Sequence, residues 1–66
     1  MIDLTPDQIK VLKLIANGHE IKQIAAIMGK GVKSIEYHWA LIKKKTGATN
    51  HVQAALWAFR NKIARL

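Results

Sequence analysis

The chain has 66 residues, 50% of them hydrophobic, which suffices for one small domain over residues 1–66 and excludes both a second domain and a deep enzyme cleft. Eleven Lys and Arg against four Asp and Glu give a net charge of +7, which points to nucleic acid first and an anionic membrane surface second. The absence of cysteine excludes disulfides and thiolate metal sites.

The first predicted helix begins at a capping box. Thr5 is the expected N-cap, Pro6 stands at the first helical position, and Gln8 can bond back to the cap. Gly18 lies just past the expected end of the helix. Apolar residues recur at helical spacing between these signals: Ile9, Leu12, Ile15 and Ala16.

A second and a third helix are predicted on either side of residues 29–31, which read Gly-Lys-Gly. The second covers about residues 20–28 and the third about residues 32–46, with Gly47 closing it. Two short helices joined by a three- to four-residue turn containing Gly are typical of the helix-turn-helix motif, whose second helix enters the DNA major groove. The apolar faces are Ile21, Ile24, Ala25 and Met28 in the second helix, and Ile35, Trp39 and Ile42 in the third.

A fourth helix is predicted to begin after Asn50, its N-cap, with Gln53 at the third helical position. No stretch of the chain sustains the apolar–polar alternation of a strand. The predicted fold is therefore all-α, with four helices. The larger apolar residues of the fourth helix are expected to face the body of the domain: Val52, Ala55, Leu56, Phe59 and Ile63.

Segments of all four helices resemble the LuxR-type helix-turn-helix domain, in order and without a gap from Leu4 to about Phe59. One segment alone is a weak signal, but the ordered set at fixed spacing is specific. Residues 47–50 (GATN) are closer to quorum-sensing receptors than to response regulators. The segments are residues 4–6 (LTP), 11–18 (VLKLIANG), 22–25 (KQIA), 33–38 (KSIEYH), 42–50 (IKKKTGATN) and 53–55 (QAA).

Members of that family usually carry a ligand-binding or receiver domain ahead of this module. Here the motif begins three residues after Met1, so the resemblance implies either a stand-alone regulator or an excised domain. Residues 1–3 (MID) have the character of a natural start, which favours a stand-alone regulator.

Three positions depart from the family pattern. Gln8 replaces a commonly acidic residue, which removes any salt bridge made from that position. The turn carries Lys30 and Gly31 where an apolar residue and a Ser or Thr N-cap are usual, and Lys30 is not expected to be buried. Trp39 is larger than the aliphatic residue expected at its position, and we expect it in the core.

The resemblance implies that the outward face of the third helix reads DNA bases. Glu36 is suited to accept a hydrogen bond from a cytosine amino group, and Tyr37 to pack on a thymine methyl or bond a phosphate. The alternative for Glu36 is a solvated carboxylate paired with Lys33. The predicted base-reading residues are Lys33, Ser34, Glu36, Tyr37 and Ala40.

Positive charge is concentrated in the second half of the chain. Residues 37–66 have a net charge of +6 with no acid, whereas residues 1–36 have a net charge of +1. Lys22 matches a family position that touches the phosphate backbone. The three lysines of residues 43–45 splay over most of a helical turn, so one or two of them are expected at phosphate. The predicted phosphate contacts are Thr5, Lys22, Lys43 and Lys44.

In the family, the last helix forms the dimer interface. Trp57 and Phe59 lie roughly 200° apart on a helix, so one of them is expected outside the core. Trp57 is the expected interface anchor, and the alternative is that it lies over the edge of the core. The predicted interface residues are Ala54, Trp57 and Ala58, with His51 and Arg65 on the same side.

These patterns predict a sequence-specific regulator of transcription that binds double-stranded DNA as a homodimer, with the third helix in the major groove. The alternative is an interaction protein that forms a heterodimer with a full-length LuxR-type regulator through the last helix and blocks it. The unusual turn and Gln8 favour the alternative slightly, whereas the charge and the third helix favour DNA binding. A membrane-binding amphipathic chain is disfavoured because start and stop signals divide the sequence into short helices.

The sequence offers no candidate for catalysis or for ligand binding. It contains no nucleophile–base pair and no cluster of carboxylates, and His19, His38 and His51 lack zinc spacing. We expect His38 to pack or to form a hydrogen bond, and the other two to be surface residues. No apolar run approaches the ~20 residues that cross a bilayer, and residues 1–6 do not resemble a signal peptide. The expected protein is cytoplasmic, is not an enzyme, and takes no metal, cofactor or small-molecule ligand.

Overall fold

The computed structural model describes residues 3–64, which fold into four helices and contain no strand. The all-α prediction is confirmed, and the boundaries follow the predicted signals closely. Residues 1–3 were interpreted as a natural start, but Met1 and Ile2 lie outside the described residues, as does Arg65. The helices are α1 (Pro6–Ala16), α2 (Ile21–Met28), α3 (Val32–Thr46) and α4 (His51–Arg60).

The predicted caps form at the starts of α1 and α4. The backbone amide of Gln8 donates to the Thr5 hydroxyl at 3.2 Å. In return, the side-chain Oε1 of Gln8 accepts from the backbone amide of Thr5 at 3.1 Å, which completes the capping box. At the start of α4, the backbone amide of Gln53 donates to Asn50 Oδ1 at 2.9 Å. These bonds satisfy amides that a helix start otherwise leaves without partners.

Glycines end the two helices of the helix-turn-helix. Gly29 after α2 has φ 66° and Gly47 after α3 has φ 77°, a left-handed conformation that residues with a Cβ rarely adopt. Only three residues, 29–31, separate the end of α2 from the start of α3. These glycines therefore set the lengths of both helices.

The core forms around α1, which packs against each of the other three helices. The largest fully buried side chains come from α1, α2 and α3 and include Leu12, Ile24 and Ile42. The inward face of α1 also includes Val11 and Gln8, which the predicted row of apolar residues omitted. The predicted inward faces of α2 and α3 are confirmed: Ile24, Ala25, Ile35 and Ile42 are buried, and Ile21, Met28 and Trp39 pack against the core.

The prediction for the orientation of α4 is wrong. Ala54 and Ala58 are fully buried, whereas Val52 is 70% exposed and Leu56 48% exposed. Two alanines four residues apart let α4 approach α1 closely, since larger side chains would hold the two helices apart. Val52 and Leu56 are therefore left on the outer face of α4.

This orientation corrects the predicted dimer interface. Ala54 and Ala58 lie in the core and are not available to a partner. Trp57 is half-buried and packs against the core, as in the alternative interpretation that placed it over the core edge. Of the residues expected to face the body, Ala55 and Phe59 are half-buried, and Ile63 packs against the core.

Candidate nucleic-acid interface

The outward face of α3 presents the residues that were predicted to read DNA. Ile35 and Ile42 point into the core, and on an ideal helix Lys33, Tyr37 and Lys44 fall on the opposite side. Tyr37 is 64% exposed, so its whole outer edge is accessible to a partner. All five predicted base readers are exposed: Lys33, Ser34, Glu36, Tyr37 and Ala40.

Helical geometry separates the predicted base readers into a central line and its edges. Residues 33, 37, 40 and 44 lie within roughly 60° of one another, and we call them the central line of α3. Glu36 lies at one edge of this line, and Ser34 lies roughly 90° away at the other. Ser34 is therefore the least direct candidate for contact with bases.

The three consecutive lysines of α3 point in three different directions. Lys44 is exposed and belongs to the central line. Lys43 is half-buried, with its ammonium 5.5 Å from the centroid of the Trp39 ring. Lys45 turns toward α1, where its ammonium donates to Gln8 Oε1 at 3.0 Å. Of the three lysines, Lys44 is the one that is both exposed and on the central line of α3.

Gln8 links the start of α1 to the end of α3. Its side chain is buried, with 3% exposure, and Oε1 accepts from both the Thr5 amide and the Lys45 ammonium. The family resemblance led us to expect an acidic residue here, and the structure places the Lys45 ammonium where such a residue would meet it. The Gln8 side chain therefore offers Lys45 a neutral amide oxygen where an acidic residue would form an ion pair with it.

Replacing Gln8 with Glu is expected to raise the free energy of unfolding at pH 7 by about 0.5–1 kcal/mol. A carboxylate can keep both hydrogen bonds, and its attraction to the Lys45 ammonium and to the positive start of α1 should exceed the cost of burying its charge. The gain should disappear as the pH falls and the carboxylate takes up a proton. Urea unfolding at pH 7 and pH 3 measures the effect. The same substitution in a Lys45→Ala background is the control, and an equal gain there would contradict a pairing with Lys45.

The remaining phosphate candidates lie at helix starts. Lys22 is exposed in the first turn of α2, and Thr5 is exposed as the N-cap of α1. Lys30, in the turn, is exposed as expected, and its ammonium lies 3.3 Å from Asp7 Oδ2 on the surface of α1. An exposed pair of this kind contributes about 0–1 kcal/mol to stability.

His38 lies between the core and the outward face of α3. Its Nδ1 atom is buried and has no hydrogen-bond partner within residues 3–64, while its ring centroid lies 6.0 Å from that of Tyr37. The predicted hydrogen bond is therefore not formed through Nδ1.

The described part of the chain contains no group of three or more His, Cys, Asp and Glu residues arranged to hold a metal ion. Within the same residues, no helix is long and apolar enough to span a membrane. The distinctive feature of the surface is the basic and aromatic face of α3.

Two short helices, a three-residue turn and an exposed outward face on the second helix define a helix-turn-helix domain. Residues 3–58 match the bacterial regulatory proteins of the luxR family. The chain is also 33% identical over 57 residues to the transcriptional activator protein PhzR of Pseudomonas fluorescens. It therefore belongs to the luxR family of bacterial regulatory proteins. The alignment covers 86% of this chain but only 23% of PhzR.

Proposed function

We propose that this chain binds a specific DNA sequence as a homodimer, with α3 of each copy in the major groove. The exposed central line of α3 carries the proposal, because it places two lysines and a tyrosine on one side of a helix opposite the core. Residues 1–66 act as a single domain of a cytoplasmic regulator in this proposal, without a metal, cofactor or small-molecule ligand.

The proposed contacts are divided between bases and phosphates. Lys33, Glu36, Tyr37 and Ala40 face the base edges, with Ser34 at the margin. Lys44, Lys43, Lys22 and Thr5 face phosphates. Lysines neutralise phosphates whatever the sequence, whereas Glu36 and Tyr37 discriminate between base pairs in the groove.

The proposed dimer forms through the outer face of α4 instead of Ala54 and Ala58. Val52 and Leu56 follow one another at a spacing of one helical turn and are exposed. Both side chains also line a groove of about 410 Å³, whose other walls include the end of α1, Ala55 and Phe59. In a dimer with a two-fold axis, the same surface of each copy forms its half of the interface. Leu56 of one copy would then pack against the groove of its partner. Half-sites about 34 Å apart would then match the two copies of α3.

Selection of binding sites from a random pool of DNA tests this function with the purified chain. We expect an enriched palindrome, since a two-fold dimer reads the same half-site twice. Enrichment of no sequence would favour the second candidate, an interaction protein that pairs with a full-length LuxR-type regulator through α4. The exposed apolar face of α4 supports that candidate too, because it is suited to either partner.

Steep salt dependence is expected of binding to the selected site. If the dimer neutralises ~6–8 phosphates, the logarithm of the association constant should fall against the logarithm of salt concentration with a slope of about −5 to −7. Replacing Lys44 with Ala removes two contacts per dimer and should make the slope shallower by about 2 while weakening binding to all sequences equally. Titrations between 50 and 300 mM salt measure the slope. A wild-type slope shallower than about −2 would exclude the lysines as phosphate ligands.

Changes at Glu36 and Tyr37 are expected to alter which sites are preferred. Each lost base contact should reduce the discrimination at the base pair it reads by about 1–3 kcal/mol of binding free energy. Discrimination at the other base pairs should change little. Repeating the selection with Glu36→Gln and with Tyr37→Ala measures this, and Lys44→Ala is the control that should weaken binding without changing the preferred site. Unchanged preferences in both variants would mean that α3 does not read bases through these residues.

A further inference from the structure

Three side chains that sequence analysis assigned to separate roles meet where α3 approaches the start of α4. The Lys43 ammonium lies 5.5 Å from the centroid of the Trp39 ring. The ring of His51, the first residue of α4, meets the Trp39 ring edge-on, with centroids 4.8 Å apart and planes at 88°. All three residues are half-buried. The Trp39 ring therefore contacts both of its neighbours while the group stays open to solvent.

This cluster lies on a flank of α3 that would face a DNA backbone. A helix with its side chains is about 10–12 Å across and a major groove is about 12 Å wide, so the groove walls meet the two flanks of an inserted helix. Lys43 lies roughly 90° around α3 from the central line, next to Ala40. On the opposite flank, the ammonium of Lys45 is bonded to Gln8. The DNA backbone on the Lys43 side of the groove would therefore meet the Lys43 ammonium, which lies over the Trp39 ring.

We propose that, in this cluster, Trp39 positions Lys43 to bind a phosphate on one strand of the DNA backbone. This rests on the proposed insertion of α3 into the major groove. Trp39 is a positioning residue: the negative face of its ring attracts the Lys43 ammonium and limits the conformations of the side chain before DNA arrives. The ammonium has three donors, so contact with the ring leaves donors for a phosphate. Trp39 itself departs from the aliphatic residue that the family resemblance led us to expect.

A double-mutant cycle between Trp39 and Lys43 on a half-site DNA tests the positioning role. Lys43→Ala should make the salt slope shallower by about 0.9. Trp39→Leu should weaken binding about two- to fivefold, but should cause no further loss in a chain that already carries Lys43→Ala. Trp39→Phe keeps an aromatic face and should bind almost as well as the wild type. Thermal unfolding of each variant provides the folding control.

The proposed role of the cluster would be overturned if the losses of affinity in Trp39→Leu and Lys43→Ala were additive. An unchanged salt slope in Lys43→Ala would overturn it as well. Lys44→Ala separates this outcome from failure of the proposed function. A shallower slope for Lys44→Ala with no change for Lys43→Ala would remove the cluster alone, whereas unchanged slopes for both would remove the proposed insertion of α3 as well.

Discussion

Replacing Val52 and Leu56 together with Asn is expected to lower the affinity for a palindromic site by about 10²–10⁴-fold and the affinity for a half-site only slightly. The two side chains are the most exposed large apolar residues of α4. Their loss removes the contact by which the first bound copy holds the second copy beside the adjoining half-site. Linking two binding events in this way commonly raises the overall affinity by a factor of 10²–10⁴. Titration of both DNAs with one variant measures the ratio directly. Asn introduces no charge, so direct attraction to phosphate is unchanged.

The contrasting variant is Ala54→Asp on the inner side of α4. Because Ala54 is fully buried, an unpaired carboxylate at that position is expected to unfold the domain and to abolish binding to both DNAs. Circular dichroism distinguishes the two cases, since the Asn double variant should keep wild-type helicity. Equal losses on the palindrome and the half-site in a folded Asn double variant would exclude dimerisation through the outer face of α4.

Ile42→Ala is expected to lower the free energy of unfolding by about 2–5 kcal/mol. Ile42 is fully buried on the inner side of α3, and its truncation leaves a cavity in the core. A domain of this size has a net stability of only about 3–5 kcal/mol, so a large fraction of the variant should be unfolded at 25 °C. Urea unfolding followed by circular dichroism measures the loss.

Val52→Ala is the matched control for this truncation. It also removes apolar atoms from a β-branched residue, but at a position that is 70% exposed, so its effect should stay within about 0.5 kcal/mol. A loss of 2 kcal/mol or more in Val52→Ala would show that this side of α4 contributes to the core.

The inverted orientation of α4 bears on function as much as on folding. Because Ala54 and Ala58 face inward, Val52 and Leu56 are exposed on the outer face of α4, and exposed apolar surface of this kind often marks an interaction site. The family of regulators and the basic face of α3 make a second copy of the chain the partner that we propose. The predicted use of α4 for dimerisation stays a proposal, now assigned to the opposite side of the helix.

The path of the chain was predictable from sequence because its signals are local. The capping box of Thr5 and Gln8, the Asn50 cap and the glycines after α2 and α3 act within a few residues of where they stand. The outward face of α3 was predictable for a similar reason, since its apolar stripe is narrow and the residues opposite it are polar.

Contacts between helices were not predictable in this way. On α4, both sides carry apolar residues, so periodicity alone does not indicate which side packs against α1. The directions of residues 43–45 also depend on neighbours that are distant in sequence. Gln8 lies 37 residues before Lys45, and the cluster of Lys43, Trp39 and His51 requires α4 to begin beside α3.

The sequence by itself therefore determined four helices, their ends, the helix-turn-helix and the face of α3 that is available to DNA, because each follows from hydrogen bonds and periodicity within one segment. Only the tertiary structure decided which side of α4 is buried and where each of the three lysines points. Those outcomes depend on how closely α1 and α4 approach, which the volumes of Ala54 and Ala58 permit. They also depend on which side chains meet across the ends of α3, because such contacts exist only once the helices have packed.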